Sequence, residues 1–217
     1  MKQLVSFLIP ALLLMACGSR ERISKDVFDQ VNKSMEAKKL SDAQIIQEAM
    51  IWGDSISTEA QQLLMQNLHT KVNENGYAEA LEFCNINAVP IIEELANTYG
   101  ISIRRTSTRA RNQANLPTAD EVPLLEAYQY NVENNIKNES NIQAIAEGDV
   151  LLYTKAIVIS SEFCLACHGV PTKDLEVDVL SKIDSLYPED SARDFGLGDL
   201  RGIWSLEIPK KAVVNRL

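Results

Sequence analysis

The sequence predicts an α+β domain, with helices concentrated in its N-terminal half and mostly antiparallel strands after them, covered by helices on one face. Three observations carry this. Apolar residues recur at helical spacing as far as residue 72; β-rich runs gather after residue 100; and short turn signals separate those runs, as between neighbouring strands of one sheet. The 217 residues, 46% hydrophobic and 24% charged, suffice for one sizeable core, and no internal repeat or low-complexity tract interrupts them. A formal net charge of −9, without any aromatic–basic module, argues against nucleic-acid binding.

The first element is a targeting segment. Lys2 precedes an apolar run from Leu4 to Met15, short for a membrane span, that ends in Leu14-Met15-Ala16-Cys17. This is the pattern of a lipoprotein signal peptide over residues 1–16, after which Cys17 becomes the lipidated first residue. The mature chain is then expected on the periplasmic side, anchored to a membrane through its lipid. An ordinary secretory signal cut nearby would change the anchor but not the side of the membrane.

Residues 17–40 read as a linker and helix, because Ile23, Val27, Val31 and Met35 fall four apart. Residues 41–217 form the main domain. Ser41-Asp42-Ala43-Gln44 has the form of a capping box, and apolar residues at 45, 49, 56, 60, 63, 64, 68 and 72 continue the helical period until Gly76 stops it. These N-terminal helices can pair with each other or with a second copy, giving a homodimer. Tyr77 to Cys84 reads as a short helix, and Pro90 opens another that Gly100 closes. Ile101 begins a strand, residues 120–135 are helical, and Ile142–Ala146 and Val150–Ile159 flank the hairpin signal Glu147-Gly148-Asp149. A helix over Leu175–Leu186 and a strand over Gly202–Ile208 complete the order.

Between the hairpin and that helix stands the segment richest in chemistry, Cys164-Leu165-Ala166-Cys167-His168. Cys-x-x-Cys-His is the attachment pattern of a c-type haem: two thiols add across the porphyrin vinyl groups, and the histidine becomes an axial iron ligand. One turn of backbone presents both sulfurs to one macrocycle, and Ser160 or Ser161 is placed to cap that turn. A zinc half-site would need further ligands nearby, yet only Cys84 and His69 remain, far upstream. A thioredoxin-like dithiol would open a long helix, whereas Gly169 and Pro171 end this one at once. One covalent haem c is the expected cofactor.

Of the four cysteines, Cys17 goes to lipid and Cys164 and Cys167 to thioether bonds, which leaves Cys84 alone in an oxidising compartment. It is a buried inert thiol, half of an interchain disulfide, or a thiolate ligand opposite His168. Met65 and His69, four apart on one helix face, compete for that ligand position. Arg104, Arg105, Arg109 and Arg111 crowd into eight residues, and with Arg201 they are candidate partners of the two haem propionates.

The haem motif extends as Cys167-His168-Gly169-Val170-Pro171. Tyr187-Pro188-Glu189-Asp190-Ser191-Ala192, Gly198-Asp199-Leu200-Arg201-Gly202 and the strand Ile203 to Pro209 follow. Upstream lie Phe83-Cys84 with Ala88-Val89-Pro90, and Arg105-Thr106-Ser107 with Arg111-Asn112 and Pro117. From about residue 40 onward the chain resembles the single-haem c-type proteins first described in cyanobacteria and long held as a domain of unknown function. The resemblance implies a PAS-like fold, with His168 and Cys84 as the two axial ligands. In such proteins the domain is coupled to membrane signalling modules; here the sequence stops at Leu217, so any signal is expected to leave through a partner.

A thiolate ligand favours ferric iron and lowers the potential. The expected function is electron transfer with a redox partner protein. The alternative is a redox or diatomic-gas sensor that switches ligands at Cys84 and signals through a membrane protein. Peroxidase-like chemistry would need a distal acid–base group that the sequence does not offer, so an enzyme is not expected.

Overall fold

The computed structural model of the chain describes residues 24–27 and 40–217. In the first stretch residues 25–27 are helical, and the Val27 N–H donates to Ser24 Oγ at 3.2 Å. The expected signal peptide, the lipidation site Cys17 and the rest of residues 17–39 lie outside the described residues.

In the second stretch α1 spans Asp42–Tyr99 and starts at the predicted capping box: Ser41 Oγ accepts from the Gln44 N–H, and the Gln44 side chain accepts from the Ser41 N–H. Gly76, at φ 80° and ψ 176°, breaks it into two limbs. The limbs fold back on each other as a helical hairpin. The rings of Trp52 and Tyr99 meet edge to face with centroids 6.3 Å apart, Tyr99 donates to Glu59 at 2.5 Å, and Lys71 lies over the Phe83 ring. Gly100, in the left-handed region at φ 66°, caps the end of the second limb as expected.

That second limb corrects one expectation. Two short helices were to meet near Pro90, but residues 77–99 run as one helix with Pro90 inside it. Pro90 lies on the solvent side, where water can serve the carbonyl of exposed Ile86 that loses its N–H partner. Ile92 and Leu95 meanwhile bury their side chains in the core and hold the helix together across the proline.

The sheet contains β1 (Ser102–Thr106), β2 (Asn141–Ile145), β3 (Val150–Val158) and β4 (Leu200–Pro209) in the order β1-β4-β3-β2, with every neighbouring pair antiparallel. Leu151, Tyr153, Trp204, Leu206 and Ile208 pack against Ile45, Ala49, Trp52 and Ile56 of the first limb. The other face receives α2 (Val122–Glu133), whose Leu125 and Tyr128 pack with Leu200 and Ile203. The two central strands are therefore covered on both faces. This explains why β3 is buried over four consecutive residues instead of alternating.

Contacts along the first limb fix its height over the sheet. Gly53 rests on the Tyr153 ring, Lys155 reaches Asp54 at 3.2 Å, and Trp204 Nε1 donates to Gln61 at 3.2 Å. Beyond Gln61 the helix hairpin overhangs the end of the sheet. There it meets α3 (Glu162–His168) and α4 (Val177–Leu186); a short α5 (Lys210–Val214) follows β4. Leu81 of the second limb packs with Leu175, Val179 and Ile183, and Lys182 pairs with Glu82 at 2.9 Å. Among the described residues no helix is long and apolar enough to cross a membrane.

Candidate functional site

Helix α3 carries Cys164 and Cys167 three residues apart, so both thiols leave one side of the same turn. Cys164 packs beside Ile159, Ala192 and Phe195, and Cys167 beside Leu81, Leu175, Val179 and Ile183. Ser161 stands at the N-cap position but makes no capping bond; its hydroxyl lies 3.6 Å from Cys164 Sγ. Burial pushes the Cys164 thiol up, but hydrogen bonds from Ser161 and Ser160 outweigh it and bring the pKa below the ordinary value. Burial alone dominates at Cys167, which is pushed up to about 11. Gly169 caps the end of this helix, and only glycine fits there: a Cβ would sit 2.5 Å from Asp174 Cβ and 2.8 Å from the Leu165 carbonyl.

The imidazole of His168 is fixed by a backbone group. Its Nδ1 lies 2.9 Å from the Ala192 carbonyl. A carbonyl only accepts, so the proton sits on Nδ1 and Nε2 keeps its lone pair. Burial, with the cations Arg201 and Arg111, holds the pKa of His168 well below the usual range, so the ring is neutral at physiological pH. Phe195 braces it edge-on at a centroid distance of 6.2 Å and donates its N–H to the His168 carbonyl at 3.0 Å.

The helix hairpin supplies a cavity of its own beside the motif. Met65 and Leu68 from the first limb, Phe83, Cys84 and Ala88 from the second, and Arg105 from β1 line a cavity of about 60 Å³. Burial raises the Cys84 thiol pKa, while Arg105 and Arg111 pull it down. Cys84 in turn raises the pKa of Cys167, which puts the lone upstream cysteine and the Cys-x-x-Cys-His helix in one electrostatic neighbourhood. Met65 shares the cavity with Cys84, whereas His69 is solvent-exposed and stacks on Phe163 at 4.0 Å.

Strand alternation sorts the arginines. Arg105 pairs with Trp204 across the sheet and takes the α1 face, where its guanidinium lies 5.8 Å from the Trp204 ring centre. Arg104 pairs with Ser205 and takes the opposite face, donating to the Leu116 carbonyl at 2.7 Å and lying 3.8 Å from Glu121. Arg104 is thus turned away from the motif. Arg109 stacks on Phe195 at 3.9 Å and donates to the Arg193 carbonyl. Arg111 is bound to Asp190 and to the carbonyls of Cys167 and Ala192.

Arg105 and Arg201 are left. Neither lies within ion-pair distance of a carboxylate among the described residues; Arg201 donates from Nη1 to the Arg109 carbonyl at 3.2 Å, but its Nε is buried without a hydrogen-bond partner. Burial, with Arg111 and Arg105 close by, brings Arg201 down to about 9, and burial also lowers Arg105. Arg105 is crowded by protein atoms, yet the residue is exposed, and it lines the cavity. The donor set accordingly fits an iron porphyrin: two thiols on one turn, an imidazole with Nε2 free, a further thiol in the same electrostatic neighbourhood, and two cations without a carboxylate partner.

Tyr187 and Ala192 entered sequence reasoning only within a resembling motif, with no role given to the Tyr187 hydroxyl, which lies in the electrostatic field of Arg111, Cys84 and Arg105, or to the Ala192 carbonyl. A backbone acceptor has no sequence signature. Asp190 had only its place in a resembling motif, although a side chain with no exposed surface that pairs with Arg111 and Arg193 is a structural keystone.

The four-stranded antiparallel sheet with helices on both faces and a long helical stretch before it defines a PAS-like α+β domain. The family model described as Tll0287-like matches residues 22–209, and the chain belongs to that family. Among solved structures, the crystal structure of the cyanobacterial heme-protein Tll0287 is similar at 23% identity and a TM-score of 0.53, covering 71% of this chain and 91% of that one. No curated protein matches the chain.

Proposed function

We propose that the chain binds one haem covalently, through thioether bonds from Cys164 and Cys167, with His168 and Cys84 as axial ligands, and that it transfers electrons. The observation that carries this reading is the hydrogen bond from His168 Nδ1 to Ala192, which aims a neutral, unprotonated Nε2 away from the backbone on the same helix as both thiols. The name of the similar solved heme-protein supports the cofactor class. When bound, the haem supplies one-electron chemistry. The residues hold it: Cys164 and Cys167 fix its edge, Arg105 and Arg201 offer charge to its propionates, and apolar Leu68, Phe83 and Ala88 exclude water. A thiolate at Cys84 biases the iron toward the ferric state.

One observation favours sensing as a second reading. Met65 lines the same cavity as Cys84, so a second sulfur donor would be at hand if the ligation changed with redox state. In either role the protein acts without catalysis, on the periplasmic side, anchored through Cys17. It hands its electron or signal to a redox partner or a membrane signalling protein, as a monomer or as a dimer through its N-terminal helices. The lipobox Leu14–Cys17 supports that placement.

The test is an intact mass of protein matured with c-type haem machinery, taken after denaturation and acid extraction. The expected result is one haem mass retained, and its loss in a Cys164→Ala, Cys167→Ala double variant. Haem that extracts completely from the unmodified chain would refute covalent attachment.

A further inference from the structure

We infer that Arg111 is a positioning residue that sets how strongly His168 donates to the iron, by sharing the carbonyl to which the imidazole is tied. The inference rests on the haem reading above.

The Ala192 carbonyl accepts twice: from His168 Nδ1 at 2.9 Å and from Arg111 Nη2 at 3.1 Å. The same Nη2 donates to the carbonyl of Cys167, the residue before His168, at 2.6 Å. One guanidinium therefore spans the backbone of the motif and the acceptor of its imidazole. Asp190 holds it there. Its carboxylate accepts from Arg111 Nε at 3.1 Å, from Arg193 Nε at 2.6 Å and from the Ala192 N–H at 2.9 Å. The Asp190 side chain has no exposed surface and that of Arg111 keeps only 10%, so water does not compete for these bonds. Asp190 thus fixes both the cation and the peptide that receives the imidazole proton.

The electronic consequence follows from the two lone pairs of a carbonyl oxygen. A hydrogen bond from Nδ1–H to a carbonyl raises the basicity of the ligating nitrogen. A cationic donor on the same oxygen withdraws electron density from it and weakens that effect. With Arg111 in place, His168 is a weaker donor and the ferric state is less favoured than the Cys84 thiolate alone would make it. Without Arg111, Ala192 serves His168 alone and the ferric state gains. Arg111 is then a tuning group, with two of its three nitrogens committed and its charge paired with Asp190.

Removing Arg111 also removes a positive charge, which lowers the potential by itself, so the test separates charge from hydrogen bonding. Midpoint potentials of the haem-loaded protein are compared with those of Arg111→Lys and Arg111→Gln, together with the Nδ1–H proton resonance of His168 in the reduced state. Lysine keeps the charge but cannot span Asp190, Cys167 and Ala192 together. The expected result is that both variants favour ferric iron by up to about tenfold more, equivalent to about 59 mV for one electron. The lysine variant should move with the glutamine variant, and the Nδ1–H resonance should shift in both. If glutamine prevents loading, lysine alone decides. A lysine variant with unchanged potential and unchanged resonance overturns the inference and leaves haem binding intact, whereas an unmodified chain without covalent haem refutes the underlying reading instead.

Discussion

Gly53→Ala sets two effects of opposite sign against each other. Gly53 lies within α1, where alanine is the better helix former by about 1 kcal/mol, so local propensity favours the substitution. The structure argues the other way. A Cβ at residue 53 would fall 2.4 Å from Cγ and one Cδ of Tyr153, and 2.9 Å from the other Cδ. These atoms sit at the base of the ring, and the ring cannot swing aside. Tyr153 is fully buried, and its hydroxyl donates to Asp54 Oδ1 at 2.6 Å, with Ser140 Oγ at 3.0 Å and Ser57 Oγ at 3.4 Å. Overpacking a core costs roughly 1–3 kcal/mol, occasionally more. Displacing the hydroxyl weakens a hydrogen bond to a charged acceptor, about another 1.5 kcal/mol. After subtracting the propensity gain, the net destabilisation is about 1.5–3.5 kcal/mol. In a domain of this size that lowers Tm by roughly 3–14 °C. Urea unfolding of the variant, followed by far-ultraviolet circular dichroism, should show a lower midpoint with an unchanged slope. A midpoint that rises would mean that the first limb does not rest on Tyr153, and the placement of the helix hairpin over the sheet would be wrong.

Tyr153→Phe removes the hydroxyl without overpacking and should cost about 1.5–3 kcal/mol at neutral pH. Burial tends to raise the Asp54 pKa, but bonds from Tyr153, Ser140 and Lys155 leave it lowered, so its contribution is present above the unfolded value near 3.8 and is lost as pH falls through the folded one. The gap between the two proteins should therefore narrow below about pH 4 in denaturant titrations; a gap independent of acid would refute the network. Gly169→Ala drives a Cβ into Asp174 and the Leu165 carbonyl, so covalent haem yield per folded protein should fall several-fold, and an unchanged yield would contradict the turn geometry. In the haem-free protein, alkylation of Cys164 should rise at lower pH than that of Cys167, since hydrogen bonds lower the first thiol and burial pushes the second up to about 11. Peptide mapping across a pH series reads this, and coincident pH midpoints would refute it.

Much of the fold was legible because its boundaries rest on local rules. The capping box at Ser41, the left-handed cap at Gly100 and the turn at Glu147-Gly148-Asp149 are each decided by a few neighbouring residues. Pro90 misled because its local rule, that proline opens a helix, is overridden by the burial of Ile92 and Leu95 beyond it. The Cys-x-x-Cys-His run was legible as chemistry for the same local reason. Its surroundings were not. Cys84 and Met65 reach one cavity only because the chain reverses at Gly76, and sequence spacing carries no trace of that meeting. The arginine cluster shows the limit most plainly: Arg104 and Arg105 are adjacent in sequence and lie on opposite faces of β1, and Arg111 binds backbone carbonyls.

The central claim is that Cys84 and His168 hold one iron between them. Low-temperature electron paramagnetic resonance of the oxidised, haem-loaded protein, recorded beside Cys84→Ala, tests it most directly. A low-spin thiolate spectrum in the unmodified protein that vanishes in the variant, while covalent haem is retained, is the predicted result. Identical spectra from the two proteins would contradict the account and leave Cys84 a buried thiol beside the cofactor.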